Sequence, residues 1–300
     1  MRIALGALLP AGAAAGAGLL VGSGIVATRF VIDQTDPASL ALLRYLIGVI
    51  CLLPPVLMSP RIRFAWRDLL PIALLGITQF GILIALLNFA LQYISSALAA
   101  LICATFPLMT LLLAAALRLE ALTAFKTAGV ALTILGVGFA FGDRLVVPGP
   151  LEGGWIGALA VFASAFCGAL CSVLYRPYLR KYPVLPVSAF AMFASVLFLA
   201  LLAAWEGFFS APPDFTPGGW LAVVFIGVSS AVGYYLWLWA LQHTTPTKVT
   251  VFLALSPITA TALGAFLLSE AVSGLFLLGL ACVALGLWLA HWRAETGGGR

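Results

Sequence analysis

Long uncharged apolar runs dominate this sequence and restrict what it can fold into. Of its 300 residues, 63% are hydrophobic and 8% are charged, against about 45–50% and 25% in average globular proteins. A water-soluble fold needs more polar groups than this to cover its surface. Several runs exceed about 18 residues, the length that separates membrane helices from strands. We therefore predict an all-α membrane protein.

Ten such runs occupy nearly the whole chain. Each is close to the roughly 20 residues that a helix needs to cross the hydrocarbon core of a bilayer, which leaves no room for a soluble domain. Charged or proline- and glycine-rich stretches separate the runs. The ten predicted transmembrane helices are residues 4–28, 38–58, 68–91, 95–117, 122–141, 154–175, 186–206, 218–241, 247–268 and 272–292.

The distribution of basic residues predicts the orientation. With the N-terminus in the cytoplasm, all but three of the 15 Lys and Arg residues lie on the cytoplasmic side. The exceptions are Arg29 and Arg144 on the other side and Arg44 within a span. An excess of this kind marks the cytoplasmic side. We expect a multi-pass protein of the cell (inner) membrane, surrounded by the lipid bilayer, with both termini cytoplasmic.

Two stretches 150 residues apart are similar. TFPLMTLLLAAALRLE at 105–120 and LSPITATALGAFLLSE at 255–270 each have proline third and glutamate last. In the same register, Gly129 and Gly136 match Gly279 and Gly286, which are less common matches than Leu or Ala in an apolar chain. Repeats of this kind indicate a duplicated structural unit.

The repeated unit holds five spans, an odd number, so the second copy enters the membrane upside down. We predict two inverted five-helix repeats at residues 1–145 and 150–293, followed by a short cytoplasmic tail at 294–300. This arrangement places Glu120 at the cytoplasmic face and Glu270 at the outer face. Inverted repeats let many secondary transporters build a central site that opens to either side in turn.

These stretches also resemble a known family, the EamA family of the drug/metabolite transporter superfamily. The resemblance is carried by GSGIVATR at 22–29, PASLALLR at 37–44, FALQYISSALAALICATFPLMTLLLAAALRLEALT at 89–123 and YYLWLWALQHTTPTKVTVFLALSPITATALGAFLLSEAVS at 234–273. It implies ten helices in two inverted halves and the export of metabolites. The aromatic-rich spans resemble the YddG-type exporters of aromatic amino acids, which implies amino acids as cargo.

The eighth span carries aromatic candidates for substrate binding. Ser230, Tyr234 and Trp237 are spaced i, i+4, i+7 and are predicted to share one helix face. Tyr234 and Trp237 would pack against the substrate. We expect Tyr235 and Trp239 to face elsewhere, with Trp239 in an interfacial belt.

Polar residues within other spans are candidates for binding the polar ends of a substrate. Gln79 in the third span either faces a wet cavity or bonds a neighbouring helix. Ser23, Ser172 and Ser256 carry hydroxyls that could reach a substrate. The alternative for each serine is a hydrogen bond to a carbonyl of its own helix.

Three further residues are expected to serve gating. Pro107 and Pro257 lie mid-span, where proline removes a helix hydrogen bond and crowds the carbonyl four residues earlier. Each is either a hinge or a static kink, and the duplication favours the hinge. Arg44 lies about 10 Å into its span. It would brace the outer gate, snorkel outward, or bind a substrate carboxylate directly.

The remaining residues argue against other kinds of chemistry. The five cysteines lie in apolar runs without histidine or acidic neighbours, so we expect neither a metal site, which needs about four such ligands, nor a cofactor. The scattered basic residues form no patch for nucleic acid. The absence of a mid-span acid in the sequence disfavours obligate proton coupling.

Together these features predict a secondary transporter that exports small metabolites by alternating access, with amino acids, aromatic or other, as the expected cargo. The alternative within the same superfamily is a multidrug or other metabolite carrier. A membrane enzyme would need a catalytic cluster, and a channel would need charged or carbonyl filter rings; the sequence shows neither. We expect a small-molecule substrate as the main partner, and a monomer or weak homo-oligomer.

Overall fold

The computed structural model describes residues 2–59, 62–117, 123–146, 154–243, 252 and 255–292, and the regular elements of this part are all helical. A 3-10 turn at Ile32–Gln34 follows the first helix, and a π-helical turn at Ile77–Ile82 joins the third to the fourth. In chain order the helices are α1 (Arg2–Val31), α2 (Pro37–Met58), α3 (Trp66–Gly76), α4 (Leu83–Ala90), α5 (Ser96–Cys103), α6 (Phe106–Ala116), α7 (Ala124–Val146), α8 (Gly154–Leu174), α9 (Arg176–Lys181), α10 (Val184–Trp205), α11 (Pro217–His243), α12 (Leu255–Leu268) and α13 (Gly274–Trp292).

The helices have the length and the surface of membrane spans. Within the described part, seven helical segments are long and apolar enough to cross a bilayer, and shorter apolar helices lie at 124–140, 255–268 and 274–289. Large apolar side chains cover the outside; Trp205, for example, is 89% exposed. Such a surface suits lipid, because soluble monomers rarely expose wide apolar patches. The prediction of an all-α membrane protein is confirmed. Glu120 and the tail at 294–300 lie outside the described residues.

Glycines bring α7 and α13 into backbone contact. A Cβ added to Gly136 would lie 2.6 Å from the carbonyl oxygen of Gly279, and one added to Gly286 would lie 2.6 Å from that of Gly129. The larger number on one helix therefore meets the smaller number on the other, so the two helices run antiparallel. Small residues permit this close packing, which drives helix association where lipid removes the hydrophobic effect between helices.

The contacts between helices follow the 150-residue repeat. α1 packs against α11 and α12, and its counterpart α8 packs against α4 and against α5 and α6. α2 packs against α11, and its counterpart α10 packs against α3. Two pairs of counterparts also pack against each other, namely α2 with α10 and α7 with α13, and α5 packs against α12, the counterpart of α6.

The fourth span is broken where Pro107 lies. α5 ends at Cys103 and α6 begins at Phe106, with Pro107 at its second position. Between them, Thr105 donates both its N–H and its Oγ1 to the carbonyl of Ile102, at 3.0 and 2.6 Å. Proline has no N–H and is well tolerated at a helix start, so the chain stops one helix and starts another.

Pro257 occupies the matching place in the ninth span. It is buried in the first turn of α12, which begins at Leu255. The carbonyl of Ser256 lies against α1, where a Cβ on Gly22 would be 2.5 Å from it. Gly18, one turn earlier on α1, faces the carbonyl of Phe252. The glycines of the first helix therefore make room for the start of α12.

The third span contains the π-helical turn. Buried residues lie at every fourth position from Ile72 onward and form a stripe of Ile72, Gly76, Phe80, Ile84 and Asn88. In an α-helix, four residues overshoot a full turn by about 40°, so this stripe would drift away from the protein interior. The π turn absorbs one extra residue, as the i→i+5 bond from the Leu83 N–H to the Thr78 carbonyl shows. The stripe consequently stays on the interior side.

Two ties hold the starts of α3 and α11. The Oε1 of Gln34 accepts the N–H of Thr216, at 3.0 Å, and the Oη of Tyr182 accepts the N–H of Ala65, at 2.9 Å. In each tie, a side chain from a linker in one half of the chain satisfies a backbone donor at the start of a helix in the other half. The Gln34 tie also shows that α2 and α11 begin at the same end of the molecule.

Candidate functional site

A cavity of about 190 Å³ lies between α2, α10 and α11. It lies at the C-terminal ends of α2 and α11 and at the N-terminal end of α10, the side that the positive-inside pattern predicts to be cytoplasmic. The lining residues are Leu52, Val184, Leu185, Ser188, Tyr234, Tyr235 and Trp239. Pockets for drug-sized ligands usually occupy about 300–1,000 Å³, so this cavity suits a smaller molecule.

Tyr234 is the predicted site residue that lines this cavity. Ser188 lines the cavity beside it, and the Ser188 hydroxyl donates to the Val184 carbonyl at 2.7 Å. Its ring packs edge-on against Phe80, with centroids 5.0 Å apart, and Phe80 packs edge-on against Tyr45 at 5.3 Å. Edge-to-face pairs of this kind stabilise the arrangement beyond simple burial. The aromatic row thus runs from α11 through the π turn to α2.

The expectation that Tyr235 and Trp239 face elsewhere was wrong, because both line the cavity with Tyr234. From α11, the cavity is lined by Tyr234, Tyr235 and Trp239, and not by the predicted set of Ser230, Tyr234 and Trp237. Trp237 instead packs with Ala14, Ala240 and Phe252, where α1 meets α11. The structure therefore separates Trp237 from Tyr234.

Gln79 lies in the π turn, next to Phe80 in the aromatic row. Its side chain is half-buried, and no hydrogen bond to it is found among the described residues. Of the two alternatives for Gln79, the bond to a neighbouring helix is therefore not found in that part of the chain. The fully buried Asn88, one helix later, does make such a bond, donating to the carbonyl of Pro37 at 2.9 Å.

The three candidate serines differ in what their hydroxyls do. Ser23 donates to the carbonyl of Leu19 at 2.8 Å, and Ser172 donates to that of Gly168 at 2.9 Å. Both follow the alternative of bonding within their own helix. Ser256 is buried, and its Oγ has no hydrogen-bond partner among the described residues.

Arg44 reaches across to α11. Its Nε donates to the Oγ of Ser230 at 2.6 Å, and its Cζ lies 5.8 Å from the ring centroid of Tyr45. The side chain is half-buried. The three residues predicted to share one face of α11 therefore contact different partners. Ser230 bonds Arg44, Tyr234 lines the cavity and Trp237 packs near α1.

Carboxylates close the opposite end of the molecule. Glu270 accepts the N–H and the Oγ–H of Ser96, both at 2.8 Å, at the start of α5. Glu206 accepts the N–H groups of Ala38 and Ser39, at 2.9 and 2.7 Å, at the start of α2. Helix N-termini favour negative charge and have unpaired N–H groups. Each carboxylate therefore ties the second half of the chain to the first.

Several side chains at the cavity and at the capped helix starts were not apparent in the sequence. Glu206 lies in a linker without a motif, and Ser188 and Tyr175 lie in apolar runs. The Tyr175 hydroxyl is buried without a hydrogen-bond partner among the described residues. The sequence carries no signal for the π turn, because nearly every residue around it is apolar. Among the described residues, no group of three or more His, Cys, Asp or Glu side chains could hold a metal ion.

Comparison with known proteins shows what this fold belongs to. The model of the EamA-like transporter family matches residues 8–142 and again residues 155–292. A solved crystal structure, titled only as that of a protein, superposes with a TM-score of 0.70 at 23% identity, covering 95% of this chain and 98% of the other. This last similarity shows the fold alone.

Two relatives match over most of their length. One is a "probable terminal-alkyne amino-acid exporter" of Streptantibioticus cattleyicolor, 30% identical over 278 residues, covering 90% of this chain and 89% of the relative. The other is an uncharacterised transporter of Archaeoglobus fulgidus, 26% identical over 270 residues, covering 89% and 93%. The resemblance noted in the sequence is therefore confirmed: the chain belongs to the EamA-like transporter family.

Proposed function

We propose that this protein is a secondary transporter that exports amino acids or closely related small metabolites by alternating access. The observation that carries the proposal is that the cavity lies at one end of the molecule and the helix starts capped by carboxylates lie at the other. Glu206 ties the two halves at the N-terminal end of α2, whereas Leu52, near the C-terminal end of α2, lines the cavity. One end is thus held closed while the other presents a small chamber.

The proposal includes ten spans in two inverted repeats. The antiparallel contact of Gly136 with Gly279 and of Gly129 with Gly286 supports it, since each contact maps onto the other when the halves are exchanged. Helices of the first half and their counterparts in the second half make corresponding contacts, which supports it as well. The family model also matches each half separately. Two inverted halves could also adopt a second conformation, in which contacts between the halves close the cavity end and the opposite end opens.

In this proposal Pro107 and Pro257 are the hinges. Each lies at the start of a helix within a span, and the break at Ala104 and Thr105 leaves α5 and α6 joined by a short turn. Broken membrane helices are tolerated where they border a cavity or are buried in protein. Glu270 caps the N-terminal end of α5, so a movement at the Pro107 hinge would be coupled to the contact between Glu270 and Ser96.

Substrate recognition is assigned to the aromatic row and its polar neighbours. Tyr234 would pack against an apolar side chain. The Gln79 amide and the Tyr175 hydroxyl, which have no hydrogen-bond partner among the described residues, would bind polar groups. Ser256, buried and likewise unpartnered in that part of the chain, is a further candidate, whereas Ser23, Ser172 and Trp237 would contribute only after the helices move. The amino-acid class is supported by the name of the Streptantibioticus relative and by the small cavity.

Counterflow in proteoliposomes tests this function. Purified protein is reconstituted into vesicles preloaded with unlabelled amino acids, and uptake of the labelled compound is measured with and without a pH gradient. We expect saturable counterflow of at least one amino acid. Absence of counterflow for all twenty, together with counterflow of an unrelated drug, would instead favour the multidrug alternative.

A further inference from the structure

We propose that Arg44 is the receptor for a carboxylate group of the substrate. This inference rests on the proposed function, which it deepens by naming the chemical group that is recognised. The guanidinium makes one hydrogen bond among the described residues, from Nε to Ser230 Oγ at 2.6 Å. Both Nη groups remain without a hydrogen-bond or ion-pair partner in that part of the chain.

The bond to Ser230 orients the guanidinium for this task. Ser230 is itself fixed, because its Oγ donates to the Ile226 carbonyl at 2.6 Å. A guanidinium held through Nε still presents the edge formed by its two Nη groups. That edge matches the two oxygens of a carboxylate in a bidentate pair.

The side chain is directed inward and does not snorkel to the outer surface. α2 and α11 begin at the same end, and they meet where a Cβ on Gly227 would lie 2.6 Å from the Cβ of Ile47. Arg44 is three residues before Ile47, whereas Ser230 is three residues after Gly227. The Arg44 side chain therefore extends along the membrane normal toward the cavity end, past the level at which the helices touch.

The surroundings of the guanidinium fit the rest of an amino acid. Tyr234 follows Ser230 by one turn of α11, about 6 Å along the axis. The ring centroid of Tyr45 lies 5.8 Å from the Arg44 Cζ, and the row of Tyr45, Phe80 and Tyr234 connects this position to the cavity. A charged group in a membrane span is costly without a partner, and a bound carboxylate would supply one during each transport cycle.

Paired ligands test the inference. Wild-type and Arg44→Gln proteoliposomes are compared in counterflow with L-phenylalanine, in competition with L-phenylalaninamide, which lacks the carboxylate. We expect the amide to compete poorly in the wild type. We also expect Arg44→Gln to raise the half-saturation concentration for phenylalanine by about tenfold to a hundredfold, the effect of losing a charge-assisted pair. Equal competition by the amide in the wild type would overturn the inference.

Two controls separate a binding role from a structural one. Arg29→Gln makes the same chemical change at a half-buried arginine paired with Asp33 and should leave transport unchanged. Arg44→Lys keeps the charge and should restore part of the affinity. An Arg44→Lys variant no better than Arg44→Gln, with both melting as the wild type does, would count against carboxylate binding.

A binding measurement keeps this test independent of amino-acid transport. Thermal unfolding of the purified full-length protein is followed by tryptophan fluorescence with benzoate or with benzamide. Benzoate is expected to stabilise the wild type and not Arg44→Gln, and benzamide neither. Failure of all amino acids in counterflow would refute the proposed function alone, whereas equal stabilisation of both proteins by benzoate, or of neither, would refute the role of Arg44.

Discussion

Gly136 and Gly279 face each other across the α7–α13 contact, so that a Cβ on either would collide with the carbonyl oxygen of the other, at 2.6 and 2.5 Å. The two residues are not counterparts in the 150-residue register; Gly136 matches Gly286, and Gly279 matches Gly129. The contact is therefore repeated two turns away by the exchanged pair. Such reciprocity is what a two-fold axis crossing the helix pair would produce.

Enlarging either glycine should destabilise the protein. Gly136→Val forces its side chain into the Gly279 backbone, which cannot give way as a flexible side chain could, so we expect a loss of about 1–3 kcal/mol, the usual cost of overpacking. The melting temperature in detergent measures it. Gly138→Val is the matched control, because a Cβ on Gly138 meets nothing within 4 Å. Equal melting of the two variants would contradict the packing described for α7.

Removing the charge of Glu270 should loosen the start of α5. Glu270→Gln weakens the pairing with the Ser96 N–H and Oγ–H, and losing a helix cap costs about 0.5–2 kcal/mol. Hydrogen–deuterium exchange of residues 94–104 should accelerate by about twofold to thirtyfold, as that range of free energy implies. Asp214→Asn, at an exposed linker aspartate, serves as the control. Unchanged exchange in Glu270→Gln would show that the cap does not hold this end.

Restoring a continuous fourth span should slow transport. Pro107→Ala returns the missing N–H donor, so α5 and α6 can join, and we expect the maximal counterflow rate to fall by about tenfold, or 1.4 kcal/mol of barrier, with little change in half-saturation. Pro54→Ala, at an exposed proline in α2, should leave the rate unaltered. A Pro107→Ala protein that transports at the wild-type rate would make the break a static kink.

Replacing the Gln79 amide separates binding from folding. Gln79→Leu removes a polar group that has no hydrogen bond among the described residues, so the melting temperature should be retained or should rise. If the amide binds substrate, the half-saturation concentration rises by about threefold to tenfold, in line with one lost hydrogen bond. Thr78→Val is the neighbouring control, since Thr78 Oγ1 bonds the Leu74 carbonyl. A loss of stability without a change in affinity would assign Gln79 to the packing of the π turn.

The sequence was sufficient for the membrane class and for the approximate position of the helices, because hydrocarbon requires long apolar helices wherever the chain crosses it. It also marked Pro107 and Pro257 as positions where a helix hydrogen bond is missing, because proline lacks an N–H in any context. Local rules of this kind act within a few residues and need no knowledge of the packing.

The candidate site could be predicted only in part. Tyr234 was found, but its neighbours Tyr235 and Trp239 were placed on the wrong side, because helix periodicity gives angles between residues and not the direction in which the cavity lies. Glu206 reaches the start of α2 from 168 residues away, and a contact so distant leaves no local pattern. The π turn was missed because nearly every residue around it is apolar.

The wide turn at Ile77–Ile82 has a consequence for any positional scan of this span. One residue is taken up there without advancing the helix, so positions beyond 82 are rotated by about 100° from where a regular helix would put them. A cysteine series read with one fixed period would therefore assign lipid-facing labels to buried sites in α4. The periodic pattern of cysteine labelling should shift by one residue between Gly76 and Leu83. The helix periodicity must therefore be fitted separately before and after this turn.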